Sequence, residues 1–439
     1  MAPFSDAPTE VIDQILGYVP RSDLPNVCLV NKSLQSSAES FLYSTVSFEW
    51  TSSEMPPIAS FVASLVRRPE LADQIDVVAL KGHLLPRTAV PAMDTSTIPL
   101  DQLAAAIEKT KVPFTSMWIE KLRSADTCIY ALAALLIANL SKTTHLTIQT
   151  PYINGQPLIA KVLQAKNSKS GQLPAFERLK QLRYVKHRDI SNPDNNMIFD
   201  DTINLFYLPT VTDLEITMTN PETFRWPAGE PNLDHLTSLR IGWLQEDFLA
   251  KIFPLTRNLK SLSWRWEHHG PPHPWETTTL DFDKISDVLE LLKGTLESLE
   301  FELWLGEDDE LADSLEMDVQ GNLRRLRDFP HLTHLNVPLT SREDDNQPLD
   351  LADYAPDSVE VLTLPGTALT SDWRPSGWDV DGLPYEEIIP LIQSLADARP
   401  VKLPRLKRVI IIDDYGKNIR RKISERVSKL DLGFEVIFN

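Results

Sequence analysis

Apolar residues recur along this chain in two rhythms, and the change falls close to residue 48. Before it, Val11, Ile12, Ile15, Leu16 and Val19 follow at i, i+1, i+4, i+5 and i+8, the stripe of one amphipathic helix. Pro8 suits the first turn of that helix, where a missing N–H costs nothing, and Pro20 stops it. Ser22, followed by Asp23, predicts the N-cap of a second short helix, and Asn31 that of a third. The opening forty-odd residues therefore read as three short helices separated by turns. So small a piece cannot bury all of these apolar side chains against itself, which leaves some of them for another protein.

After residue 48 the recurring unit is apolar-x-x-Leu-x-apolar. Clear copies start at Leu179, Val211, Leu236, Leu259, Leu296, Leu332, Val359 and Leu406, and weaker ones at Ile75 and Thr143. The last three positions of each copy alternate, as a half-buried strand does. Pro209, Pro330 and Pro404 precede three of the copies and predict strand entries. Helical stretches lie between copies, as at Asp247–Phe253, Ile285–Lys293 and Glu386–Arg399. One strand and one helix per unit, stacked over a shared core, is the physical content of a leucine-rich repeat.

The spacing drifts beyond the roughly 20–29 residues of regular arrays, and the usual Asn or Cys after the strand is missing. The prediction is an α/β chain in three parts. Residues 1–47 form the three-helix module, and 48–141 a helical joining segment with degenerate first repeats. Residues 142–439 form an irregular leucine-rich-repeat solenoid with a curved parallel sheet. In the joining segment, Pro56-Pro57 opens one helix through Val66, and others lie near Leu100–Thr110 and Ser124–Leu140. No long Gly, Ser or charge run makes it a flexible linker.

Charge narrows the partners. A net charge of −19 opposes general binding to nucleic acid or anionic membrane, and permits a basic partner. The two cysteines, Cys28 and Cys128, support neither a disulfide framework nor a zinc site. The longest apolar run, Cys128–Leu140, is too short to span a bilayer and reads as a buried helix. The first residues carry no secretory signal. The expected location is the cytoplasm or nucleus.

The N-terminal stretch resembles the F-box, the trihelical module that docks substrate receptors on the Skp adaptor of Skp–cullin–F-box ubiquitin ligases. Pro8, Glu10, Val11, Ile15, Leu16, Tyr18, Asp23, Leu24, Leu29, Val30, Asn31 and Lys32 match its pattern in order and spacing. Ala7 stands where the family has Leu, and Ser33-Leu34 where a basic residue and Trp often follow. The later repeats are similar to the irregular ones that follow the F-box in many fungal proteins. The resemblance implies adaptor contacts from Pro8, Glu10, Ile12, Ile15, Leu16, Leu24, Val27, Val30 and Lys32. It also implies a cullin partner reached through the adaptor, an unknown protein substrate, no cofactor and no catalysis by this chain. The other function it leaves open is a protein-interaction scaffold without ligase activity.

In the strand phrase, the leucine and the apolar residue two places on face the core, so the residues between and beside them face outward. The concave-face candidates are His145, Gln181, Arg183, Glu215, Arg240, Ser263, Arg265, Glu300, Glu302 and His334. Glu300 and Glu302, followed by Glu307-Asp308-Asp309-Glu310, would attract a basic segment of the substrate. Trp264 sits at a core position, whereas Trp373 and Trp378 fall in a polar loop where an aromatic can anchor an interface. The His268–His273 cluster reads as a surface turn rather than a metal site. Asp379-Val380-Asp381-Gly382 matches only the start of a calcium loop. No phosphate loop, nucleophile elbow or dinucleotide fingerprint is present.

Overall fold

Parallel strands carry the chain from Thr45 to Phe438, most of them followed by a helix or a 3-10 turn. The computed structural model describes residues 7–51, 54–82, 93–153, 157–168, 171–186, 199–268, 277, 279–305, 318–337, 351–365, 385–412 and 417–438. The acidic run at 307–310, Trp373, Trp378, the 379–382 motif and most of the histidine cluster lie outside these residues. The chain divides into two compact units, Met1–Ile216 and Thr217–Asn439.

The first unit opens with α1 (Thr9–Leu16), α2 (Leu24–Cys28) and α3 (Lys32–Ser44). α3 passes without a linker into β1 (Thr45–Trp50), followed by α4 (Ile58–Arg67) and β2 (Val77–Gly82). Next come α5 (Leu100–Lys109), α6 (Thr115–Arg123), α7 (Cys128–Asn139), β3 (His145–Gln149), α8 (Leu158–Asn167) and β4 (Gln181–Val185). α9 (Phe199–Thr202) and β5 (Asp213–Thr217) complete it. The sheet runs β1-β2-β3-β4-β5, all parallel. Register puts Val78, Leu146, Leu182 and Leu214 in one row and Leu80, Ile148, Tyr184 and Ile216 in the next. Both rows are buried. Each such leucine contributes about 1.5–3 kcal/mol by leaving water, which is why the phrase repeats. α7 is buried from Cys128 to Ala138, as its unbroken apolar run requires.

The second unit repeats the plan. It contains β6 (Ser238–Gly242), α10 (Glu246–Leu249), β7 (Ser261–His268), β8 (Thr279–Asp281), α11 (Phe282–Glu290), β9 (Ser298–Leu305) and β10 (Asp318–Gln320). β11 (His334–Asn336), β12 (Val361–Pro365), α12 (Tyr385–Ala398), β13 (Arg408–Ile412), α13 (Lys417–Val427) and β14 (Glu435–Phe438) follow. Its sheet runs β6-β7-β9-β11-β12-β13-β14, again parallel, with β8 and β10 forming a separate pair. Leu239, Leu262, Leu299, Leu335, Leu362 and Val409 form its buried leucine row. Asp281 caps α11 by accepting from the amides of Asp283 and Lys284 at 3.0 and 3.1 Å. Each unit is thus a leucine-rich-repeat-like α/β stack.

Three expectations need correction. No strand is expected across residue 48, yet β1 runs from Thr45 to Trp50, and its Val46, Phe48 and Trp50 fill the same buried face as β3 and as β2, which falls on the weak copy at Ile75. The prolines at 209, 330 and 404 sit in turns ahead of their strands rather than at strand entries. The first helix ends at Leu16, four residues before Pro20, and Ser22 caps nothing: its hydroxyl turns to the Asp23 carboxylate at 3.4 Å, and α2 begins at Leu24.

Candidate functional site

The three N-terminal helices close around Ile12, Leu16, Leu24, Leu34 and Ala38, with Val19, Val27, Cys28, Phe41 and Leu42 packed against them. Asn31 sets the start of α3, its side-chain oxygen accepting from the Leu34 amide at 2.8 Å. This small core leaves the outer side of α1 and the end of α2 bare. Val11 is 43% exposed, Ile15 42%, Tyr18 91%, Leu29 85% and Val30 66%. Val11 and Ile15 lie one turn apart on the outer face of α1, while Leu29 and Val30 close α2. Among the described residues, these five make up most of the large apolar side chains that face water.

That division sorts the expected contact set into buried and exposed members. Ile12, Leu16 and Leu24 lie inside the module, where they shape its surface. Ile15 and Val30 are exposed, Val27 is half-buried, and Pro8, Glu10 and Lys32 are exposed polar or capping positions around them. Val11, Tyr18 and Leu29 belong to the bare surface although the expected set omits them. Helical periodicity does not say which of two apolar faces is the inner one.

The module is tied to the first repeats by ions as well as by chain continuity. Arg68 donates Nη1 and Nη2 to both oxygens of Glu39 on α3, at 3.0 and 2.9 Å, and Nε to Glu70 at 3.0 Å. The guanidinium holds the Glu39 carboxyl below its ordinary range. Arg21 donates to the carbonyls of Leu42 and Thr45, where helix turns into strand.

On the sheets, the candidate residues lie on outward rows, and several of them pair with one another. In the first unit His145, Gln181, Arg183 and Glu215 lie on the outward rows of β3, β4 and β5. Arg183 Nε pairs with Glu215 at 3.1 Å, and the His145 ring meets the Thr144 hydroxyl at 2.6 Å. In the second unit Arg240, Ser263 and Glu300 stand side by side across β6, β7 and β9. Arg265 and Glu302 are neighbours one row on, and Arg265 Nε donates to Glu302 at 2.8 Å. His334 is exposed on β11, its ring against Thr333 Oγ1 at 2.9 Å. Glu302 therefore spends its charge on Arg265. Glu300 is the acid of this pair without an ion pair among the described residues. Exposed pairs of this kind contribute at most about 1 kcal/mol each, so the face is polar rather than strongly charged.

Beneath the second unit's sheet, Trp264 and Trp266 are fully buried. Trp264 stacks on Phe301 with centroids 4.6 Å apart and donates to the Leu244 carbonyl at 2.8 Å. Trp266 donates to Oε2 of the buried Glu246 at 3.2 Å, whose Oε1 has no hydrogen-bond partner among the described residues. Burial raises the Glu246 carboxyl above its ordinary value. An acid raised on folding binds its proton more tightly in the native chain, so this group favours folding at low pH. It withdraws that stability as pH climbs from the ordinary carboxylate value through the raised one. Glu246→Gln should remove this falling limb. Urea titrations from about pH 4.5 to 7.5 check it, and parallel curves for the two proteins would disprove it.

Among the described residues no group of three His, Cys, Asp or Glu is placed to hold a metal, and no helix is long and apolar enough to cross a membrane. Fold and surface together define a parallel strand–helix repeat protein with a small helical module, part of its surface bare and apolar, ahead of its first strand. No protein-family profile matches the chain, and no curated protein matches it. Among solved structures it is similar to a chain in the crystal structure of the Rad7 and Elc1 complex in yeast, at 14% identity and a TM-score of 0.38. The match covers 98% of this chain and 91% of that one, and is too distant to place any individual residue.

Proposed function

We propose that this chain is a substrate-receptor subunit of a Skp–cullin–F-box ubiquitin ligase. The N-terminal helices dock on a Skp-type adaptor, and through it a cullin. The outward faces of the repeats hold a target protein, with Glu300 the acid best placed to meet a basic side chain. The observation that carries this reading is the bare apolar surface of Val11, Ile15, Tyr18, Leu29 and Val30. Water-facing residues of this size, gathered on one small module, mark a protein interface. The direct junction of α3 and β1, braced by Arg68, joins the module to the first repeats without a loose linker, and a target held by the repeats would have a raised effective concentration near the ligase. Such a role asks no catalytic group of this chain, and it belongs in the cytoplasm or nucleus.

Affinity purification of the tagged chain should recover a Skp-type adaptor together with a cullin. Recovery of the adaptor without a cullin would replace the receptor by a scaffold, and recovery of neither would remove both.

A further inference from the structure

The outward face of the second unit's sheet changes character along one lateral row. Register sets Arg240, Ser263, Glu300, Asn336, Thr363 and Ile410 side by side across β6, β7, β9, β11, β12 and β13. The row begins polar and ends apolar. Ile412 follows Ile410 on the same face and is 44% exposed. Val409, Ile410, Ile411 and Ile412 make β13 apolar on both faces, the pattern of a parallel strand that is covered on both. Val409 and Ile411 find their cover in the core, whereas Ile410 is half-buried and Ile412 faces water.

Two polar groups on the row are left unsatisfied. Glu300 is half-buried and has no ion pair among the described residues, while the acid two places on, Glu302, is held by Arg265 at 2.8 Å. Asn336 stands beside Glu300, is 7% exposed, and its Oδ1 meets no donor among the described residues. A buried acceptor without a donor is costly, and an incoming N–H relieves it. Three strand steps separate Glu300 from Ile410, about 14 Å at the usual strand spacing. An extended chain covers that distance in about four residues, and residues four apart in it project to the same side.

We propose that this row takes an extended segment of the target protein lying across the strands, with a lysine or arginine on Glu300 and an aliphatic side chain four residues away over Ile410 and Ile412. A main-chain N–H between the two donates to Asn336. The inference deepens the receptor reading, on which it rests, by naming the chemistry of the target. Glu300 selects a basic side chain, and the net charge of −19 draws such a segment in. The same charge turns away the phosphates of a nucleic acid and opposes a second copy of this chain. The apolar end fixes the distance at which the basic residue must stand.

The test uses the full chain and labelled synthetic peptides of Ser and Thr, followed by fluorescence anisotropy. The first carries Lys and Leu four residues apart, the second has Glu in place of Lys, and the third sets Lys and Leu eight apart. The first should bind, and the other two should bind about tenfold more weakly or worse. Glu300→Lys should weaken the first peptide about tenfold and tighten the second, an exchange that general loss of structure would not produce. Ile412→Asp changes a side chain that faces water and should weaken the first peptide about tenfold. Three results would overturn the proposal: no binding of the first peptide, equal binding of the second or third, or affinity unmoved by both variants. A dimer in sedimentation that Ile412→Asp dissolves would assign the apolar end to a second copy and overturn it as well. Adaptor capture is read on the same preparation. Adaptor bound without peptide defeats this inference alone, and peptide bound without adaptor defeats the docking reading alone.

Discussion

Replacing Leu29 and Val30 together with aspartate should abolish capture of the Skp adaptor and leave the fold as it was. Both side chains are more than half exposed, so the native chain loses little packing when they change. At an interface the same two residues would each contribute about 2 kcal/mol of burial, and an aspartate forced into an apolar contact adds the cost of stripping its water. Affinity should fall by about a thousandfold or more, equivalent to ~4 kcal/mol. Leu24→Ala is the contrasting variant. Leu24 is buried in the small core with Ile12 and Leu16, and truncation there should cost about 3 kcal/mol of module stability. Calorimetric titration with purified adaptor, beside urea melts of both variants, separates the two effects. An intact affinity in the Leu29→Asp, Val30→Asp protein would remove the docking surface from consideration.

Trp264→Ala should be the most destabilising single change in the second unit. The ring fills a fully buried position between β6 and β9, stacks on Phe301 and gives its N–H to the Leu244 carbonyl. Truncation opens a large cavity and orphans that carbonyl, for a loss of about 4 kcal/mol. Trp264→Phe keeps the stacking and loses the hydrogen bond, so its cost should be about half. Urea unfolding followed by circular dichroism reads both. A Trp264→Ala protein within about 1 kcal/mol of the parent would mean the site collapses around the gap.

The exposed outer face of the sheets carries less information than its residues imply. Arg183 with Glu215, and Arg265 with Glu302, satisfy one another across adjacent strands. Reversing Glu302 alone would therefore break an internal pair as well as alter a contact with a target. Glu300 is the cleaner position at which to probe recognition.

The sequence by itself determined the strand phrase, the buried run of α7 and the cap at Asn31. Each depends on residues within a few positions of one another, where a period of two or 3.6 dictates which side chains share a face. It equally marked the N-terminal helices as too apolar for their size. Only the tertiary structure decided that Ile12, Leu16 and Leu24 go inside while Val11, Ile15, Tyr18, Leu29 and Val30 stay out. Those side chains are chemically alike, and the choice belongs to whichever face α3 covers. The same holds for the strand at Thr45 and for the pairing of Arg265 with Glu302. Strand partners lie tens of residues apart in the chain, and no local period records which rung stands beside which.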